Sequence, residues 1–284
     1  MLHLKCPECR KPLIPTEQVC SCGFQLKITD GIVELYSYTF RRRLENFLLD
    51  YDRVYRAENA TISEDELTRS PFVYSGPLKK DWAYRRRSLD VLRPQLSINK
   101  KLSVLEIGPW NGWLSKQIIG AGHRLVAVDY FRTPPYGLQT YKSDSPEHTK
   151  IQLDLHDLSV LDEKFDLLIL NHCLQFFPDP IAYIEQCIQK LNKEGKLFII
   201  GSPIYHASVK KASQIQKQKI YYKEKYNFDL FFQAGKGYLD SSDLREMIKS
   251  GVQFHSYPGS WLKNLVAEIN PSRAKYLFGT YLHC

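Results

Sequence analysis

"SVLEIGPWNGWLS", residues 103–115, decides the fold of this 284-residue chain. It opens as an apolar run from Val104 to Ile107, turns between Gly108 and Gly112, and resumes as a helical pattern through Trp113, Leu114, Gln117, Ile118 and Ile119. Strand, glycine turn, helix is the opening unit of nucleotide-binding α/β folds. The middle glycine of such a loop is missing, and Trp110 stands in its place.

Downstream the alternation continues. Residues 124–128, 149–153, 165–170 and 196–200 read as further short apolar strands, and 180–191 as a helix between the last two. Strands alternating with helices predict an α/β fold, Rossmann-like and doubly wound, with a mostly parallel sheet covered on both faces. After residue 201 a tract without core character leads to a helix in "SSDLREMIKSG", and the strand-like "VQFHSY" and "KYLFGTYL" close the chain.

Upstream, residues 36–100 are polar, aromatic and helical in pattern. Leu44, Phe47, Leu48, Tyr51 and Val54 share one helical face. "DWAYRRRSLDVLRPQL" continues likewise, with Pro94 expected to end it. The triplets Arg41–Arg43 and Arg85–Arg87 read as solvated helix faces.

Four of the seven cysteines fall in the first 22 residues. Cys6 and Cys9 form a CxxC knuckle, and Cys20 and Cys22 a tighter CxC pair followed by Gly23. Two close thiolate pairs supply the four sulfurs that tetrahedral zinc takes, and four thiolates leave no open position for catalysis. "LKCPECRKPL…VCSCGFQLKITDGIVEL" resembles the small zinc ribbons that precede or partner methyltransferase domains, with a "DGI" strand at 28–35. The expected organisation is a zinc ribbon at 1–35, a helical linker on the substrate side at 36–100, and a catalytic domain at 101–284 with a lid at 203–239.

The glycine loop discriminates between cofactors. Dinucleotide folds use G-x-G-x-x-G so that backbone amides close on a pyrophosphate. S-adenosylmethionine (SAM) has no phosphate, so an indole at Trp110 is tolerable if it points outward, and the Glu106 carboxylate is placed to meet the amine. Asp129, closing the second strand, can bind both ribose hydroxyls.

The tract 100–202 resembles the class I SAM-dependent methyltransferases, through five motifs in register. "VLEIGPWNGW" is similar to the first and places Gly108, Trp110 and Gly112 at the cofactor. "AVDY" implies Asp129 at the ribose and Tyr130 beside adenine, and "LDLHDL" implies Asp154 at the adenine amino group with Leu155 against its ring. "FDLLILNHCLQFFPDP" and "KLNKEGKLFII" resemble the fourth motif and the strand after it. Many members of that family carry a histidine two residues after the leucine matching Leu174. Phe176 stands there, so the resemblance supplies no general base.

The nucleophile must therefore be aligned and deprotonated by other groups, if it needs deprotonation at all. Asn171 and His172 follow the fourth strand, at the edge of the crevice, and His172 is the first candidate base. Tyr205 and His206, just past the fifth strand, are the second candidates. The segment 203–239 interleaves lysines with tyrosines and phenylalanines, which suits either a lid over a small substrate or nucleic acid.

A net charge of +8 and a pI near 9.0 are modest for a chain this long. The acids among the arginines of 41–100 also argue against a phosphate-tracking surface. The expected substrate is a small molecule. The alternatives are rRNA or tRNA, recognised through the ribbon, and an inactive SAM-binding scaffold that docks a protein partner there. The absence of a signal-peptide pattern and of long apolar runs predicts a cytoplasmic protein without membrane contact, for which the acceptor sequence Asn59-Ala60-Thr61 carries no glycan.

Overall fold

The computed structural model describes residues 2–13, 18–58, 62–142, 145–206, 208–270 and 273–283; Asn59-Ala60-Thr61 lies outside them. The chain starts with two hairpins, β1 (Leu4–Lys5) with β2 (Pro12–Leu13), and β3 (Lys27–Thr29) with β4 (Ile32–Leu35). Three helices follow: α1 (Tyr38–Ala57), α2 (Glu64–Arg69) and α3 (Lys79–Leu96). The alternating region comprises β5 (Ser103–Ile107), α4 (Trp113–Gly120), β6 (Arg124–Asp129), β7 (His148–Leu153), β8 (Phe165–Asn171), α5 (Pro180–Gln189) and β9 (Leu191–Ile200). The C-terminal part adds β10 (Ile204–Tyr205), α6 (Ser208–Tyr226), β11 (Leu239–Asp240), α7 (Ser241–Lys249), β12 (Gln253–Ser256), α8 (Trp261–Ile269), β13 (Ala274–Lys275) and β14 (Leu277–Leu282).

Nine strands form the main sheet in the order β12-β14-β9-β8-β5-β6-β7-β4-β3. Pairing is parallel from β9 across to β4 and antiparallel at both edges. The central strands are apolar on both sides because both sides are covered. On one face Trp82, Leu89 and Leu92 of α3 pack with Trp113, Leu114 and Ile118 of α4. On the other, Tyr183, Ile184 and Cys187 of α5 and Met247 of α7 share a core with Leu4, Cys6, Leu13, Phe24 and Leu26 of the N-terminal hairpins.

The "DGI" segment differs from the single strand expected at 28–35. It folds back at Asp30-Gly31, both with positive φ, and β4 pairs in parallel with β7. The N-terminal unit is thus joined to the central sheet by backbone hydrogen bonds. Pro94 does not end α3, which runs to Leu96. So close to the terminus, its missing N–H costs one bond of the last turn and interrupts nothing. Helix α8 had no counterpart in the sequence reading. It sits outside the sheet, and its Trp261, Leu262 and Leu265 are exposed.

Candidate active site

The strand order reverses between β5 and β8, and the crevice outside their C-terminal ends is where such sheets bind ligands. A cavity of about 580 Å³ lies there. Its floor is made by residues that leave the sheet: Gly108 after β5, Asp129 to Phe131 at β6, Leu155 and His156 after β7, and Asn171 to Cys173 at β8. Gly108 has φ +78°, and a Cβ there would lie 3.0 Å from Asn171 O, so glycine lets the two strand ends close on each other. Gly112, also at positive φ, carries the ring of Tyr141 packed where its Cβ would be.

Asp129 is buried, accepting from Phe131 N at 3.1 Å and Trp110 N at 3.4 Å. Burial pushes its carboxyl up to about 7. Glu106 lies deeper still, fully enclosed, and accepts from Ser115 Oγ at 2.6 Å and Asn171 Nδ2 at 2.8 Å. It does not line the cavity. The direct contact with an amine expected from sequence is replaced by a relay, because Asn171 stands between, with its Oδ1 buried and unpartnered.

Trp110 does not point outward. Its ring stacks on Tyr136 at 6.0 Å, tilts against Trp82 at 5.6 Å, and takes the Arg85 guanidinium over its face at 4.2 Å. It therefore forms part of the cavity wall. Both Trp110 and His172 adopt positive φ, the kind of backbone strain that persists where surrounding structure over-determines it. His172 is enclosed, edge-on to Trp113, with Nε2 unpartnered. Burial, and then the Arg85 charge, holds its imidazole well below the usual range.

The other predicted residues divide. Tyr130 and Leu155 line the cavity, Tyr130 with its ring against Phe232 at 5.2 Å. Asp154 lies beside it, accepting from His156 N at 3.1 Å, and does not line it. Tyr205 and His206 are not among the lining residues either. Tyr205 ends β10 in the small sheet of β11, β10 and β13, and His206, just past it, is half-exposed and faces Glu268 at 3.9 Å. Strand β10 turns away from the crevice, so proximity in sequence to β9 did not bring them to it.

The aromatic residues of the expected 203–239 lid do line the cavity, whereas sequence reasoning missed the half of the roof that α1 supplies and one wall. Phe47, Tyr51 and Tyr55 on α1 and Phe228, Phe231 and Phe232 after α6 close the cavity from above. Phe47 stacks on Phe228 at 5.4 Å, and Tyr51 meets Phe131 at 4.6 Å. Aromatic residues repeating every four positions in α1 were the available signal. On α3 the arginine triplet is not a solvated face. Arg86 donates to Pro71 O at 3.1 Å and also to Val73 O, while Arg85 turns inward to line the cavity.

Residues 82–248 match the family model of a methyltransferase domain. The chain belongs to the methyltransferase-domain family. It is a class I SAM-dependent methyltransferase. A curated relative, the ubiquinone biosynthesis O-methyltransferase of Actinobacillus pleuropneumoniae serotype 5b (strain L20), is 24% identical over 179 residues, 58% of this chain and 75% of its own. Among solved structures, the N-methyltransferase NodS of Bradyrhizobium japonicum WM9 aligns at 15% identity and a TM-score of 0.44, over 74% of this chain and 99% of that one. Magnesium protoporphyrin IX methyltransferase of Synechocystis PCC 6803 aligns at 14% and 0.44, over 76% and 93%.

The four N-terminal cysteines converge. Their sulfurs lie within 4.8 Å of one another, with Cys6 to Cys22 at 3.6 Å and Cys9 to Cys20 at 3.5 Å. A tetrahedral zinc with bonds of about 2.3 Å sets its sulfurs about 3.8 Å apart, whereas a disulfide needs about 2.05 Å. The donor set fits zinc. Among the described residues no helix is long and apolar enough to cross a membrane.

Proposed function

We propose that this methyltransferase transfers a methyl group from SAM to an O or N atom of a small molecule held under the 203–239 segment. Enclosure carries the reading. The cavity is roofed by aromatic rings from α1 and from the segment after α6, a shape that buries a small ligand. The activity of the ubiquinone biosynthesis O-methyltransferase relative points the same way. Several lysines of the basic segment are engaged within the fold rather than offered to a phosphate backbone. Lys219 donates to Gly235 O, Lys223 pairs with Asp229, and Lys225 pairs with Glu58.

The residues present fit the cofactor. Asp129 is an enclosed acceptor for paired ribose hydroxyls, and Tyr130 and Leu155 flank the space for an adenine. The unpartnered Oδ1 of Asn171 accepts from an ammonium, with Glu106 fixing the amide from behind. Gly108 keeps the wall flat, and Trp110 closes it. Bound SAM supplies a methyl already activated on a sulfonium, so alignment is the protein's main task. His172, neutral and at the cavity wall, accepts a hydrogen bond from the nucleophile and orients it. Cys6, Cys9, Cys20 and Cys22 hold a structural zinc, and we infer a cytoplasmic setting from the reduced thiols that site needs.

Incubation with methyl-labelled SAM against separated RNA and small-molecule cell extracts tests the reading. Label is expected in the small-molecule fraction. Stoichiometric label in one RNA at physiological salt overturns it, and SAM binding by calorimetry without label in either fraction makes the chain an inactive scaffold.

A further inference from the structure

A second cavity, about 180 Å³, opens on the other side of the Arg85–His172 wall. Those two side chains line both spaces. The smaller one is completed by Tyr84 and Ser88 of α3, Ser202 after β9, and Tyr257 after β12. Its frame is rigid: Tyr257 Oη accepts from Gly201 N at 3.0 Å and lies 3.1 Å from Ser88 Oγ.

Arg85 is the anomaly. Its guanidinium is stacked against Trp110 and Trp82, its Nε is buried without a hydrogen-bond partner, and among the described residues the carboxylate that acts on its charge, Asp81, is not in contact with it. Asp81, one turn earlier on α3, stands exposed at the rim of the small cavity. A cation held away from water is disfavoured unless an anion meets it. Here burial already pulls Arg85 down to about 10. The fold retains this expense at the one wall that separates two ligand-sized spaces.

We propose that the small cavity anchors one end of the acceptor substrate, a carboxylate paired with Arg85, while the reacting end of the same molecule lies past His172 in the main cavity under the 203–239 segment. This rests on the main cavity as the site of cofactor and methyl transfer, and Arg85 and His172, which line both spaces, join the anchor to it. One guanidinium answers one negative charge, and its planar fork matches a carboxylate. The chemistry of the wall becomes coherent. An Arg85 without a counter-ion disfavours a proton on His172, whereas a carboxylate on Arg85 removes that penalty. The acceptor thereby makes His172 a better base for its own nucleophilic proton.

The test uses the full chain. Saturation with S-adenosylhomocysteine is first established by calorimetry; failure there overturns the methyltransferase reading itself and is seen before any acceptor probe is added. The loaded protein is then titrated with benzoate and with its neutral isostere benzamide. Benzoate should bind at least about tenfold more tightly, the minimum expected for a charge-assisted pair. Arg85→Gln, held saturated with S-adenosylhomocysteine at a concentration set by its own measured Kd, should abolish the preference. Equal binding of the two probes, or none, by wild type overturns the proposal. So does a loss of S-adenosylhomocysteine affinity in Arg85→Gln with the probe preference retained, since Arg85 would then serve the cofactor. Should Arg85→Gln fold poorly, Arg85→Lys, which keeps the charge, must still prefer benzoate.

Discussion

Asp129 and Trp110 show how single side chains report on the cavity. Burial holds the Asp129 carboxyl at about 7, so it is largely protonated in mildly acidic solution. Hydroxyl donors favour the anion. SAM affinity should therefore rise between about pH 5.5 and 7.5 and level off above, with proton uptake by buffer on binding at the acidic end. Asp129→Asn should flatten that profile, and Asp129→Ala should cost about 1.5–3 kcal/mol of affinity at neutral pH. A pH-independent Kd in wild type contradicts the assignment. The same shift acts on folding with the opposite sense. A carboxyl raised in the folded state favours folding only while protonated, so its contribution declines as pH climbs from about 4 to 7. Trp110 sets up a second measurement. Because its indole packs on Arg85, Trp82 and Tyr136, Trp110→Ala should weaken S-adenosylhomocysteine binding about tenfold and lower stability by about 1–3 kcal/mol. Unchanged affinity would return the ring to the role expected from sequence, outside the cofactor space.

At the scale of elements, the roof depends on two helices that the sequence read separately. Glu58, just past the end of α1, accepts from Tyr226 Oη at 2.6 Å, Tyr221 Oη at 3.0 Å and Lys225 Nζ at 3.1 Å, all on α6. Arg53 of α1 adds a bond to Tyr226 O at 2.9 Å. Glu58→Ala should free α6 from α1, seen as faster proteolytic nicking around residues 227–237 and weaker cofactor retention. No change in either would leave the aromatic contacts as the sole fastening. The strands and the Gly108 turn were legible because their periodicity and backbone demands are local. The lid at 203–239 was legible from its aromatics, but the share of α1 in the roof was not, since Phe47 and Tyr51 read equally well as core until α6 is laid across α1. Arg85 was hidden for the opposite reason. One turn of helix carries Arg85 inward and Arg86 towards a loop, and an arginine triplet says nothing about which faces in.

For the whole molecule, the decisive feature is that the cysteine unit is built into the methyltransferase rather than tethered to it. Cys6 and Cys20 lie in the same core as Leu153, Leu158 and Tyr183, and Leu4 bridges to Leu161. β4, which continues from the cysteine unit, supplies a strand to the main sheet beside β7. The Glu8 carboxylate accepts from Tyr38 N at 2.6 Å, and Phe24 packs on the Tyr38 ring at 5.7 Å, so the unit also holds the first turn of α1, the roof helix. Metal loss should therefore spread beyond residues 1–35. Chelator-washed protein should retain close to one zinc per chain by elemental analysis. Stripping it under denaturing chelation, or Cys6→Ser with Cys9→Ser, should lower the single thermal transition of the whole chain and weaken S-adenosylhomocysteine binding together. Structural zinc contributes directly to folding free energy, and here that energy is linked to α1 through Tyr38. A normal main transition with undiminished S-adenosylhomocysteine affinity after zinc removal would show the opposite: a ribbon that folds for itself, with a roof that does not need it.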